Sequence, residues 1–462
     1  MFLHKRFLHL KANMSRQKRA EYSLLAVLYL ATVVTAQNNW QNPQIDQNNP
    51  QDDDCCEEYC YVTDEEPYIN FATKTAYDSL SRRSGSQHIV PDCTPVQFWS
   101  IIRHGTRLPT SSRMMALVNL NKLHEEVGRN YEQRRSYPDK GRLCREDYDI
   151  FRRWRWNDTV TPDKENTLTN QGVEDMKLLA RRFKSKYPQL LQQSYDERSY
   201  YFQYSNSDRT QSSYQAYIEG LFGSDAFRVH ANTMNDDRVI RPYDNCKTWE
   251  QNMGENPSTR NEYMRFIERP EYKKMERDVF RRLGFRYNLN DTVIKDIYDM
   301  CRYEKAWNVQ QRSPWCIAFT KNQLKLLEYA EDLKYYYLTG YGNAMSEKIG
   351  CSPLKDLYSR FEKTVNGNSD GNKATFLFTN SATMQPCKGN EQYKVMFFLN
   401  EVPVEFPECS VGLCDWSTFQ QKFQSTVENC NIESFCSGNS ASSHYLNYFA
   451  MLTGVLFYYF RA

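Results

Sequence analysis

The stretch Phe98–Thr110, FWSIIRHGTRLPT, sets an apolar run directly against an Arg-His-Gly triplet. The run starts upstream as PVQFWSII, residues 95–102, a β-rich segment that predicts a buried central strand. Such a strand delivers His104 beyond its carboxyl end, the place where open α/β sheets bind ligands. An imidazole there can attack phosphorus directly and form a phosphohistidine. That attack needs the phosphoryl oxygens held and their charge neutralised, which guanidinium forks do through paired hydrogen bonds. Arg103 and Arg107 flank His104, and Arg209 opens a helix after a second predicted strand, within SDRTQSS, residues 207–213. Three converging arginines would stabilise a phosphoryl transition state electrostatically.

Working outward, SSRMMALVNLNKLHEEV (111–127) predicts a helix capped by Ser111 or Ser112, with His124, Glu125 and Glu126 on a solvated face. LTNQGVEDMKLLARRFKSKYP predicts another, capped by Thr169 and stopped near Pro188. Tyr200–Phe222 reads as strand, turn and helix, and FRVHANTMNDDRVIRPY (227–243) as a strand pair. From Cys246 to Gly350 the chain is charged and helical; Thr320 and Gln323 form a capping box there, with Leu326, Ala330, Leu333 and Tyr337 on one face. KATFLF (373–378) and YKVMFFLNEVPVEF (393–406) supply later strands. Strands alternating with helices define an α/β core, with helical cap segments inserted at about 111–165 and 246–350.

The 462 residues carry Lys+Arg 59 against Asp+Glu 57, a net charge of only +2. No global field attracts nucleic acid or a membrane surface, so a polyanion would have to be bound by a local arginine cluster. Residues 1–36 read as a signal peptide: a basic leader, an apolar stretch from Leu24 to Val34, then small residues at Val34-Thr35-Ala36. Residues 37–67, rich in Asn, Gln, Pro and then acids, read as a disordered leader. All 14 cysteines follow Ala36, which makes disulfides the expectation, with Cys301–Cys316 and Cys409–Cys414 as local pairs. Asn157 and Asn290 head glycosylation sequons. Residues 437–462 end in the uncharged run FAMLTGVLFYYF, which suits the removable tail of a lipid-anchor signal. That anchor is the one membrane attachment expected, and no metal or other cofactor is implied.

CTPVQFWSIIRHGTRLPT, LTNQGVEDM, YSNSDRTQSSYQAYIEGLF, MCRYEKAWNVQQRSPWCIAFT and FFLNEVPVEFPEC together resemble the multiple inositol polyphosphate phosphatases, members of the histidine acid phosphatase superfamily beside the phytases. The similarity covers about 68–436. It implies a phosphoglycerate-mutase-like α/β core with a helical cap, a secretory or ER-lumen location, and removal of phosphate from an inositol polyphosphate or from 2,3-bisphosphoglycerate. By motif position, His104 would be the nucleophile and Arg103, Arg107 and Arg209 its phosphate ligands.

The resemblance also implies a His-Ala-Glu or His-Asp element on a late strand, whose histidine binds phosphate and whose acid protonates the leaving oxygen. The matching place reads Asn380-Ser381-Ala382. Asn380 retains a hydrogen-bond donor for phosphate, but Ala382 carries no proton. After His230 the sequence has one further histidine, His444, in the expected processed tail. TNSATMQPCKGNEQ (379–392) is also shorter than the family's connection, so a core helix and one strand are expected to be missing.

Overall fold

The computed structural model describes residues 59–81 and 93–437, apart from 134–137, 139, 193, 233–236, 245, 256–257, 341, 369–370, 380–382, 389–392, 400, 405–408 and 410–412. The expected signal peptide, most of the leader and the C-terminal tail lie outside the described residues.

The strands are β1 (Phe98–Arg103), β2 (Tyr200–Tyr204), β3 (Ala374–Thr379), β4 (Thr383–Lys388), β5 (Tyr393–Leu399), β6 (Val402–Pro403) and β7 (Leu413–Asp415). They form one sheet in the order β2-β3-β1-β4-β5-β6, with β7 on β5. β2, β3 and β1 are parallel, with Phe98 opposite Ala374 and Arg103 opposite Thr379. β4 and β5 run antiparallel on the other side.

Helices of eight residues or more are α1 (Ser111–Val118), α2 (Leu120–Gln133), α3 (Arg145–Arg153), α4 (Asn170–Lys186), α5 (Asp208–Phe222), α6 (Lys247–Glu255), α7 (Ser258–Ile267), α8 (Pro270–Arg282), α9 (Asp291–Trp307), α10 (Lys321–Thr339), α11 (Met345–Val365) and α12 (Trp416–Glu428).

β1 is buried from Phe98 to Ile102 because helices cover both faces of the sheet. Successive side chains alternate between the faces. Phe98 and Ile102 pack with Met176 and Phe183 of α4 and Tyr217 of α5. Trp99 and Ile101 pack with Leu357 and Phe361 of α11 and Phe419 of α12. The expected α/β core is therefore a sheet between two helical layers. A separate apolar core joins α1–α3 to α7–α10 around Trp315, which is fully buried against Phe151 and Trp154. Both expected cap segments contribute to it, whereas Trp249 of α6 packs instead with Ile349 of α11.

Several expectations need correction. The cap of α1 is Thr110, whose hydroxyl accepts from the Arg113 amide, and the helix breaks at Asn119 before α2. His124 is not on a solvated face: a ring nitrogen lies 2.8 Å from the Phe151 carbonyl, and the ring packs on Phe151 and Trp154. The leader ends before residue 59, since Tyr61 is buried in the cap core and Cys60 is bonded to Cys144. The strand pair at 227–243 is absent among the described residues; two 3-10 turns, Gly223–Arg228 and Asp237–Val239, stand there. The segment gives β2 one bond, Asn232 N–H to Phe202 O, and its Asn, Asp and Pro residues favour turns over a ladder. The capping box on α10 is present, but its buried face is Gln323, Leu324, Leu327 and Ala330. Leu326 and Leu333 pack only partly against the cap core. The short connection after β3, where a core helix and one strand are expected to be missing, carries one described strand, β4, between β1 and β5.

Cys301–Cys316 and Cys409–Cys414 are bonded as expected, alongside Cys246–Cys436 and Cys351–Cys430. Asn157 and Asn290 are both exposed. No helix among the described residues is long and apolar enough to cross a membrane.

Candidate active site

The residues after β1 are held by backbone contacts from three elements. The His104 amide donates to the Thr379 carbonyl at the end of β3 (2.8 Å), so β3 sets where the histidine leaves the sheet. Gly105 N–H donates to Ser213 Oγ (3.1 Å), and Ser213 donates in turn to the Arg209 carbonyl (2.6 Å), tying the turn to α5. The first turn of α4 lies against the other side. A Cβ on Gly105 would stand 2.4 Å from the Gly172 carbonyl oxygen, and one on Gly172 would stand 2.2 Å from that of Thr106. Backbone passes backbone here, so both positions require glycine.

Thr169 caps α4 and also binds Thr106: its amide and hydroxyl both donate to the Thr106 carbonyl, at 2.9 and 3.0 Å. The Thr106 hydroxyl donates to buried Asp175, which also accepts from the Asp78 amide and Gln171. Arg107 then forms a bridge with Leu168. Backbone hydrogen bonds from three elements thus hold the chain around His104.

Within that frame the His104 ring has one tautomer. Nδ1 lies 2.8 Å from the Gly105 carbonyl, an acceptor only, so Nδ1 carries the proton and Nε2 keeps its lone pair. Burial pulls the imidazole pKa down to about 3, and Arg103, Arg107 and Arg209 add to this against the Gly105 hydrogen bond. The imidazole is neutral across the physiological range.

The three guanidiniums are left short of partners. Arg103 donates to the Thr73 carbonyl and Arg107 to that of Leu108, each at 2.8 Å, and the buried Arg209 Nε has no hydrogen-bond partner. Among the described residues none of the three pairs with a carboxylate. Burial and mutual repulsion lower the affinity of Arg103 and Arg209 for their protons. Arg103 is solvent-accessible at the end of β1. An oxyanion would relieve three uncompensated charges at once.

Sequence reasoning placed His104, Arg103, Arg107 and Arg209, and the structure brings these four together. Asn380 and Ala382 lie outside the described residues. The positioning roles of Ser213, Thr169, Thr106 and Asp175 were missed. Gly172, inside LTNQGVEDM, was the available signal, because a glycine in a helix's first turn invites a packing reason.

The histidine phosphatase superfamily (branch 2) matches residues 97–398. Multiple inositol polyphosphate phosphatase 1 of Drosophila melanogaster is 32% identical over 431 residues, spanning 84% of this chain and 92% of that protein. The Gallus gallus protein of the same name is 23% identical, spanning 79% and 92%. Among solved structures, the phytase from D. castellii matches with a TM-score of 0.57 at 20% identity, over 77% of this chain and 84% of that one. The Bifidobacterium longum multiple inositol polyphosphate phosphatase, in complex with inositol hexasulfate, gives 0.53 at 12%, over 81% and 97%. These structural likenesses establish the shared fold. With the sequence matches and the arrangement around His104, they place the chain in the histidine phosphatase superfamily, branch 2.

Proposed function

We propose that the chain is a phosphomonoesterase of the multiple inositol polyphosphate phosphatase type, acting through a phosphohistidine on His104. The observation that carries this is the neutral His104, its Nδ1 committed to Gly105, set among three guanidiniums that pair with no carboxylate among the described residues. In the first step the Nε2 lone pair forms an N–P bond while the ester P–O bond breaks, and the alkoxide departs with the bonding pair and takes its proton from solvent. Arg103, Arg107 and Arg209 hold the phosphoryl oxygens. In the second step a water oxygen attacks phosphorus, the N–P bond breaks and the imidazole returns neutral. Inositol polyphosphates are the proposed substrate class, supported by the name of the Drosophila relative and the inositol hexasulfate bound to the Bifidobacterium structure. 2,3-Bisphosphoglycerate is the second substrate to assay. The disulfides and the exposed sequons at Asn157 and Asn290 support passage through the secretory pathway.

The first step is impaired by Ala382, which stands in sequence where a proton donor is expected. General acid catalysis contributes roughly 10²- to 10⁴-fold in rate, most for a poor leaving group such as an inositol alkoxide. The same substitution favours a second reading, a pseudophosphatase that binds phosphorylated ligands without turnover.

The test compares wild type, His104→Ala, and a double variant, Asn380→His with Ala382→Glu, on nitrophenyl phosphate and inositol hexakisphosphate. The impaired-enzyme reading expects His104-dependent cleavage of the nitrophenyl ester, little turnover of the inositol ester, and recovery of the latter in the double variant. Binding without cleavage of either ester supports the pseudophosphatase. Efficient hexakisphosphate hydrolysis by wild type would refute the impairment.

A further inference from the structure

Beside the three arginines lies a second group of cations, and one member is less committed than the rest. Asp299 of α9 serves three of them. Its Oδ1 accepts from Arg302 Nε at 2.8 Å and Nη2 at 2.5 Å, while Arg113 Nε stands 2.6 Å from Oδ2. Arg113 also pairs with Asp296 (2.5 Å), and Arg302 with Glu331 (3.2 Å). Lys74 Nζ comes third to Oδ1, at 3.4 Å, well beyond the ~2.7–2.9 Å of a strong charge-assisted bond. The ammonium also lies over the face of the Tyr303 ring, 5.3 Å from the centroid, and within electrostatic reach of Arg302 and Glu331. An ammonium with three protons, one long contact and a π face has capacity to spare.

The position of Lys74 gives that capacity a use. Its neighbour Thr73 accepts the Arg103 guanidinium at 2.8 Å, so the backbone carrying Lys74 is tied to the phosphate site. Tyr303, under the ammonium, lies within the electrostatic reach of both Arg103 and Arg107. Lys74 remains partly accessible, with 19% of its side chain exposed. Its four-carbon stem can turn the charge from Asp299 toward a ligand. Asp299 would keep Arg113 and Arg302, so no buried charge is abandoned when Lys74 leaves.

Building on the phosphatase reading above, we propose that Lys74 is a specificity-determining residue: its ammonium takes a second phosphate of the substrate while Arg103, Arg107 and Arg209 hold the one being transferred. The ligand class is a compact molecule carrying two or more phosphates. A monophosphate does not engage Lys74.

The experiment measures binding rather than turnover, so it is independent of the leaving-group proton. Inositol hexakisphosphate and inorganic phosphate are titrated calorimetrically into wild type, Lys74→Met, Lys74→Arg and Arg107→Ala, with melting curves recorded for each. Lys74→Met should weaken hexakisphosphate binding by about tenfold, as for one charged hydrogen bond. The loss should exceed that for inorganic phosphate by about fivefold or more, and Lys74→Arg should recover most of it. Arg107→Ala should weaken both ligands. Equal losses for the two ligands in Lys74→Met, or an undiminished hexakisphosphate affinity, would overturn the proposal. A folded wild type that binds neither ligand would instead remove the phosphatase reading on which it rests.

Discussion

The end of β1 and the inner face of the cap are both rich in arginine, yet they treat charge in opposite ways. In the cap, Lys74, Arg113 and Arg302 meet Asp296, Asp299 and Glu331, three cations against three acids. Burial alone would raise the Asp299 pKa, but Arg302, Lys74 and Arg113 hold it down at about 2. Arg302 keeps its proton more firmly than a free guanidinium, because Asp299 and Glu331 outweigh its burial. Around His104, three guanidiniums crowd a neutral imidazole and, among the described residues, none of them forms an ion pair with a carboxylate. Charge compensated within the fold holds the fold together. Charge left uncompensated costs stability, and under the proposed function an anionic substrate would supply the missing sign.

The largest expected effect is on chemistry. His104→Ala should lower nitrophenyl phosphate turnover by about 10⁴-fold, equivalent to about 5.4 kcal/mol of barrier. Steady-state kinetics checks this, and a loss below about tenfold would mean another nucleophile. Next comes the compensated region. Arg302→Ala leaves Asp299 and Glu331 short of a buried partner and should destabilise the protein by about 3–5 kcal/mol in a denaturant titration. Gly105→Ala and Gly172→Ala force backbone apart beside His104 and should each cost about 1–3 kcal/mol.

The contrast sharpens with Arg209→Gln, which removes one of three repelling charges. We expect the ligand-free variant to melt no lower than wild type, with a gain of up to about 1 kcal/mol, while the thermal shift produced by tungstate falls sharply. If Arg209→Gln instead destabilised the protein as much as Arg302→Ala, the distinction between the two regions would fail.

A further effect concerns pH, and its sign differs between the regions. His104 folds neutral with a pKa near 3, whereas the unfolded chain titrates it near ~6.5. Its neutral burial is unpenalised above about 6.5, and stability is lost as pH falls from there toward 3. In the cap, burial raises Glu304 to about 7 despite hydrogen bonds from Ser313 and Trp154, against ~4.5 unfolded. Stability linked to Glu304 is complete below about 4.5 and is lost as pH rises toward 7. Melting temperatures across pH 4–8 should therefore lose part of their acid-side fall in His104→Ala and part of their fall toward neutral pH in Glu304→Gln.

His104 and two of the arginines around it were legible because Arg103, His104 and Arg107 follow directly on a strand that the apolar run announces. Arg209 was legible because a second strand-to-helix turn repeats that logic. The rest depends on tertiary context. β4 went unread because Thr383–Lys388, TMQPCK, contains a proline and a lysine and none of the aromatic or aliphatic β-branched residues that mark the other strands; neighbours on both sides make it a strand. The segment at 227–243 erred the other way, since isolated Val229 and Ile240 pack on opposite faces of the sheet rather than lining a ladder. Lys74 carries no signal in ATKTAY; its place beside Arg103 follows from one bond between a guanidinium and the Thr73 carbonyl.

The central claim is that His104 attacks phosphorus through Nε2 because Gly105 holds Nδ1. Rapid quenching of the protein during nitrophenyl phosphate turnover, followed by peptide mass spectrometry and phosphorus NMR of the trapped adduct, tests it most directly. The account predicts an acid-labile, base-stable phosphate on the peptide containing His104, attached at Nε2 and absent in His104→Ala. Phosphate at Nδ1, or on any other residue of a protein that turns over the ester, would contradict it.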